Sequence, residues 1–406
     1  EQMKKIAKLS LVAAVAVAGL TTANAQPLEE AIKNVDVSGS VVYRYNDYSD
    51  DKATGSAVTD KGQNFDRTNN NYKVGLNLSS KVNEDVKFNS RFLVADMGSN
   101  AAAFIPLDSS TSGDANVDTQ LSQANFAYTG LKNTTVTVGK QGLATPYTTA
   151  VMIDENEQNG TGIMALSTVG PVTLGAAYFN QTNLNSSGDI ASTVNTLSPN
   201  GNAGSQDIAA VAAIATFAPV TVDAWYLDLS DTFDTYTVGA KSDLDLSGVK
   251  LGLDARYASL DADELDTDNN IAKFVVTAKA GIVNAKVAYA MTDEEGGVTG
   301  LDSDAITVLK GWNLHTLGKA DADYWQAVAG VDILSNLNLS ANYGNLQYVD
   351  GTSDMEEEEV YGQLTYKMSK NLSTYVRYGV YTKENTTTNV EGIDATGGRL
   401  QVAYTF

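Results

Sequence analysis

The chain has 406 residues, 43% hydrophobic and 19% charged, with 27 Lys+Arg against 49 Asp+Glu and a net charge of −22. That charge excludes a nucleic-acid partner, whose phosphates need a basic face, and the lack of cysteine excludes disulfide scaffolds, thiol nucleophiles and thiolate metal sites. The single histidine, His315, leaves no multi-histidine metal site, and 6 prolines, 34 glycines and 20 tyrosines favour strands and turns over helices.

The chain opens with a basic segment (Lys4, Lys5, Lys8), an apolar run over 9–20, and small residues at Ala23 and Ala25. This is the layout of a cleaved secretory signal over residues 3–25, with Met3 as initiator and Gln26 as the first mature residue. Nothing in the sequence accounts for Glu1 and Gln2. The apolar run is shorter than the ~20 residues a spanning helix needs, and no later segment comes nearer. The exported chain is therefore expected to be soluble or a β-barrel.

From residue 35 onward the dominant period is two. Val41, Tyr43 and Tyr45 alternate with Val42, Arg44 and Asn46; Val86, Phe88, Phe92 and Val94 oppose Lys87, Asn89 and Arg91. Leu251, Leu253, Ala255 and Tyr257 oppose Gly252, Asp254 and Arg256; Leu372, Thr374, Val376, Tyr378 and Val380 oppose Ser373, Tyr375, Arg377 and Gly379. Apolar-out, polar-in alternation over about ten residues is the signature of a transmembrane barrel strand. It predicts 18 strands, starting near residues 36, 70, 85, 121, 134, 162, 171, 206, 220, 233, 248, 270, 282, 322, 336, 358, 371 and 396, with 16 as the alternative count.

The connections alternate in length. Short turns are expected near 80–84, 130–133, 169–171, 218–219, 243–247, 280–281, 334–336 and 369–370. Polar stretches lie between them at 47–69, 97–120, 142–161, 181–205, 229–232, 261–269, 292–321, 350–357 and 384–395. Short periplasmic turns and long extracellular loops are the plan of an all-β, antiparallel outer-membrane barrel. Residues 26–406 then form one domain, and the alternating end at Phe406 is expected to be the closing strand read by the barrel assembly machinery.

A barrel this wide cannot be filled by its own side chains, so its lumen chemistry becomes its function. Of 6 arginines, Arg44, Arg91, Arg256, Arg377 and Arg399 fall on the inward register, with Asp254 among the inward acids. Barrel closure would bring Arg44, Arg91, Arg377 and Arg399 onto one stretch of wall. Acids facing a basic wall would focus the field across the pore. The expected source of those acids is the third long connection, 142–161, which carries Asp154, Glu155 and Glu157 together with Leu143, Tyr147, Val151, Met152 and Ile153. Those apolar residues need a wall to pack against, so the loop is expected to fold inward. The runs 261–268 and 356–359, and Asp302 and Asp304 in the longest loop, read as solvated outer loops that divalent ions could bridge to lipopolysaccharide. None matches a calcium-loop spacing. No aromatic track along the lumen is visible, and Trp225, Trp312 and Trp325 are the only tryptophans.

The sequence also resembles the major outer-membrane porins of Campylobacter and its relatives. The resemblance rests on Pro27-Leu28-Glu29-Glu30-Ala31-Ile32-Lys33-Asn34-Val35-Asp36-Val37-Ser38-Gly39 running into Tyr43-Arg44-Tyr45, on Gly139-Lys140-Gln141 and on Arg399-Leu400-Gln401. It implies an 18-stranded homotrimer with a narrow, cation-preferring pore and calcium held by acids at the constriction. The matching positions are Asp154 and, more loosely, Asp189, with Asp302 or Asp304 as candidates for a third.

The leading functional expectation is a passive porin for small hydrophilic solutes and ions, with no catalytic residues and no required cofactor. A solute-specific channel, or a structural or adhesive protein anchored by a barrel, are the alternatives. An enzyme is disfavoured, because His315 sits in a long loop without a nucleophile motif.

Overall fold

The computed structural model describes residues 35–52, 67–95, 105–106, 118–153, 157–187, 197, 203–263 and 267–406. Branched and aromatic residues alternating with polar ones suit a pleated strand that separates two solvents. The first group is β1 (Val35–Asp50), β2 (Arg67–Lys81), β3 (Val86–Ala95), β4 (Ile105–Pro106), β5 (Asp118–Leu131) and β6 (Thr134–Gly142). Next come β7 (Asn159–Val169), β8 (Val172–Thr182), β9 (Ile208–Phe217), β10 (Val220–Leu229), β11 (Phe233–Leu246) and β12 (Val249–Ala262). The chain ends with β13 (Asp268–Ala280), β14 (Val283–Thr292), β15 (Ala320–Leu334), β16 (Leu337–Asp350), β17 (Ser353–Lys367), β18 (Leu372–Asn385) and β19 (Val390–Thr405).

All belong to one antiparallel sheet, and β1 pairs with both β2 and β19, so the sheet closes. The two-residue β4 bridges only to Asn71 and Tyr72 of β2. The wall therefore has 18 long strands, the higher of the two counts the alternation allowed. Phe406 completes the seam: it and Gly39 exchange both backbone hydrogen bonds, at 2.9 and 3.1 Å. Tight turns use the left-handed region where the chain must reverse in two residues, as at Gly170 and Gly281, each with φ 58°.

The outward face carries Val211, Tyr226, Phe274, Val287, Leu339, Val360 and Val376, all exposed. Such a surface would aggregate in water, and it suits a hydrocarbon solvent. The inward face is divided. Over part of β8–β12 it is apolar: Phe179, Ile208, Leu227, Leu229, Phe233 and Leu260 are buried together with Leu143, Tyr147, Leu184, Leu197 and Leu301 from the connections. Part of the lumen is thus occupied by a small hydrophobic core that the loops complete.

Two expected loops are in fact strand. The run Glu356–Glu359 lies within β17, and most of 384–395 belongs to β18 and β19, leaving short hairpins. Clustered charge reads as loop only if both faces of a strand must be apolar, and the lumen face of a barrel need not be. Glu357 and Glu359 are buried inside while Glu356 and Glu358 alternate with them.

Candidate pore constriction

The third long connection, 143–158, leaves β6 and enters the barrel. Leu143, Tyr147 and Met152 are buried, Lys73 of β2 donates to the Met152 carbonyl at 3.0 Å, and the Tyr147 hydroxyl donates to the Trp225 carbonyl of β10 at 3.5 Å. A single segment that touches β2 and β10 spans the lumen. Burial pushes the Tyr147 phenol above its ordinary pKa.

The longest connection, 293–319, also folds inward, contrary to its reading as a solvated outer loop. Thr299, Leu301, Asp302, Thr307, Leu314 and Thr316 are all fully buried. The physical reason is the one already applied to the third loop: apolar residues (Val298, Leu301, Ile306, Val308, Leu309, Leu314, Leu317) recur too often for solvent. The two loops hold each other. The Leu301 amide donates to the Tyr147 carbonyl at 2.7 Å, the Thr307 amide to Pro146 at 3.1 Å, and the Gln158 side-chain amide to the Leu301 carbonyl at 2.7 Å. Buried Lys273 of β13 clasps the Ile306 and Val308 carbonyls, as Lys73 clasps Met152 from the other side. At the base of the loop Lys319 reaches Glu357 at 3.4 Å, and burial holds its ammonium below the ordinary value.

The tip of this loop is a small hairpin, with Lys310 bridged to His315 and the Gly311 amide donating to the Leu314 carbonyl at 2.7 Å. Glu359 of β17, 2% exposed, accepts from the amides of Trp312 and Asn313, each at 2.8 Å. A Cβ at position 311 would collide with the Glu359 carboxylate and the Tyr324 hydroxyl, so the tip requires glycine there. The clamp sets Trp312 against Tyr48 and Tyr361, at 6.4 and 5.3 Å between ring centres.

The expected site residues fall as follows. Arg377, Arg399 and Arg44 occupy the inward register of β18, β19 and β1, consecutive around the wall; β2 contributes Lys73 and β3 contributes Arg91. Arg44 donates to Gln401 at 2.6 Å. Arg256 reaches across β11 to make a two-point pair with Asp223, at 2.8 and 2.9 Å. It can do so because Gly239 lies beneath the guanidinium, where any Cβ would strike it. Asp254 pairs with Lys241 at 3.0 Å. Asp154, Glu155 and Asp189 lie outside the described residues.

Glu157 corrects an expectation. It does not face the arginines across water: its side chain is 0% exposed and forms a two-point pair with Arg91, at 2.6 Å between Nη2 and Oε1 and 2.8 Å between Nε and Oε2. Ser122 donates to the same carboxylate at 2.9 Å. The third loop turns back on the wall at β3 and β5, where the buried carboxylate finds its partners. Asp302 also differs from its solvated reading, whereas Asp304 is exposed as expected. Asp302 is buried where the two loops meet, while Asp304 pairs with Lys310 at 2.9 Å.

Sequence reasoning missed Trp312, Glu359, Lys73 and Lys273. The only available signal was composition: alternation within the glutamate run and the apolar content of the longest loop. Trp225 and Trp312 both lie on the lumen side, the first packed on the inner core and the second at the loop tip, whereas Trp325 is exposed on the outer wall.

No curated protein matches the sequence. The fold is similar to that of outer membrane protein OpdK from Pseudomonas aeruginosa, with TM-score 0.69 and 14% identity over 91% of this chain and 98% of that one. OpdL of the same organism gives TM-score 0.67 and 17% identity over 92% and 99%. OccAB3 of Acinetobacter baumannii gives 0.66 and 14% over 91% and 99%. The model of the Campylobacter major outer membrane protein family matches residues 3–406. With the closed barrel and the lumen geometry, that match settles the assignment: the chain belongs to the Campylobacter major outer membrane protein family, a β-barrel channel of the outer membrane.

Proposed function

We propose that the barrel is a passive, water-filled channel for small hydrophilic solutes and ions, with a preference for cations. The observation that carries this reading is a closed wall of 18 strands narrowed by two inward loops, with charged and polar side chains lining the lumen. Cation preference is supported by the net charge of −22, and by Arg91 and Arg256 being neutralised in two-point pairs. In a planar bilayer under a salt gradient, discrete conductance steps should reverse at a potential directed to the cation. Steps of opposite or zero selectivity would refute the preference, and a silent folded barrel would refute the channel.

Calcium at the constriction belongs to this reading. Among the described residues no three acids converge on one point. Of the acids outside the third and fourth loops, Asp302 fits a ligand role best, being sunk where the inward loops meet, whereas Asp304 is exposed. Asp302 would hold the ion with Asp154 and Asp189, neutralising carboxylates and tying the loops together. Asp302→Asn should lower calcium bound per chain, read by elemental analysis, and remove any calcium-dependent rise in melting temperature. Unchanged metal content would exclude it.

The assembly we propose is a homotrimer, with Phe406 read by the assembly machinery. Lipopolysaccharide would be held through divalent ions. Asp228, Asp234, Asp261 and Asp268 support that last contact, since they stand directly opposite one another along four adjacent strands on the outer face. Like charges so placed repel, and bridging cations would relieve the repulsion.

A solute-specific channel is the second reading. It is favoured by the aromatic side chains around Arg377 and Arg399, and a solved OpdK structure of the same fold carries vanillate.

A further inference from the structure

Arg377 and Arg399 are direct cross-strand neighbours on the inward face of β18 and β19. Like charges in that position repel. Two other guanidiniums of the lumen are met with carboxylate, in the Arg91–Glu157 and Arg256–Asp223 pairs. Here it does not. Arg377 donates through Nε to Gln363 at 2.8 Å, and Arg399 donates to Asn46 at 2.6 Å and to the Tyr48 hydroxyl at 3.2 Å. All three acceptors are neutral, and among the described residues no carboxylate lies within ion-pair distance of either guanidinium. Glu359 of β17 acts on Arg377 through space, but its carboxylate is committed to the loop-tip amides, so neither guanidinium has a carboxylate to hydrogen-bond among the described residues.

The surroundings are aromatic. The Arg377 guanidinium carbon lies 4.7 Å from the centre of the Tyr361 ring, 5.1 Å from Tyr375 and 5.0 Å from Trp312, and that of Arg399 lies 5.8 Å from Trp312. These rings cover guanidinium faces, and the edges keep N–H donors; the terminal nitrogens of Arg377 have no hydrogen bond among the described residues. Both arginines are half-buried, so a solute in the lumen can reach them. Trp312 is placed by Glu359, whose carboxylate fixes the loop tip through two amides.

We propose that Arg377 and Arg399, faced by Trp312, form a binding subsite for small aromatic carboxylates, an anion station within a channel that otherwise favours cations. The carboxylate takes the two N–H edges, where a planar fork matches two oxygens. The solute ring lies against the indole and tyrosine faces. The proposal rests on the channel reading for its biological sense, though binding can be measured without conduction.

The test is a 19F NMR titration of 4-fluorobenzoate against the folded, detergent-solubilised barrel, alongside bilayer recordings from the same preparation. Wild type should show saturable binding that neutral 4-fluorobenzamide does not compete for. Arg377→Gln with Arg399→Gln should weaken it by roughly tenfold or more, the scale of losing charge-assisted hydrogen bonds. Arg377→Lys with Arg399→Lys should weaken it less, and Trp312→Leu should weaken 4-fluorobenzoate more than trifluoroacetate. Non-saturable binding in wild type, competition by the amide, or equal affinity in the glutamine variant would overturn the subsite. The amide competition needs no variant, so a misfolded mutant cannot shield the proposal. A barrel that conducts but does not bind refutes the subsite alone, whereas one that binds but does not conduct refutes the channel alone.

Discussion

Arg91→Met should release the third loop from the wall and raise single-channel conductance. Glu157 has 0% side-chain exposure and takes two N–H donors from Arg91, so removing the arginine strands a buried negative charge. Breaking such a pair costs about 3–5 kcal/mol, enough to free the end of the loop that carries Glu157. The Ser122 hydroxyl and the nearby Asn77, which itself accepts from Arg91 at 2.8 Å, cannot supply the missing charge. Limited proteolysis of the detergent-solubilised protein should then cut within 143–158 at enzyme concentrations that leave wild type intact, while the heat-modifiable barrel persists. The double variant Arg91→Met with Glu157→Met should recover most of the protection, since a buried ion pair is often replaceable by apolar side chains. If the single variant resists protease like wild type and conducts identically, the pair does not hold the loop.

Glu359→Ala should have the second large effect, on the other inward loop. Its carboxylate accepts from the Trp312 and Asn313 amides at 2.8 Å, and the Asn313 side chain stands at 3.4 Å. Each donor left unpaired in a buried place costs about 1–3 kcal/mol, so the tip should leave the wall rather than remain unsatisfied. Trp312 would depart from Arg377 and Arg399, widening the channel. The expected record is larger and noisier conductance, with new cleavage near 310–315. Gly311→Ala should give the same phenotype by a different route, because its methyl would strike the intact carboxylate. Wild-type conductance in both variants would mean that the tip is not part of the constriction.

Period two made the wall legible. Leu251 to Tyr257 and Leu372 to Val380 announce a two-faced strand without reference to the rest of the chain, and both lie inside strands of the expected register. Residues whose role depends on distant partners could not be read so. Arg91 is visibly inward, but that its partner is Glu157 depends on the path of the intervening loop. Glu359 was hidden in a run of four glutamates that looks like solvated charge, since only the register separates the two that face the lumen from the two that do not. Lys73 and Lys273 look like ordinary lumen cations. Their role as clasps depends on carbonyls 79 residues away for the first, and 33 and 35 for the second.

The inner core fixes an order of events in assembly. Tyr147 needs Trp225 of β10 and Leu301 from a segment more than 150 residues later in the chain, so the third loop has no resting place until most of the wall exists. Contacts of such sequence separation form late, because chain closure must come before they can contribute. A newly closed barrel would then be wide before it is narrow, and the speed of loop docking would set how long it stays the larger hole.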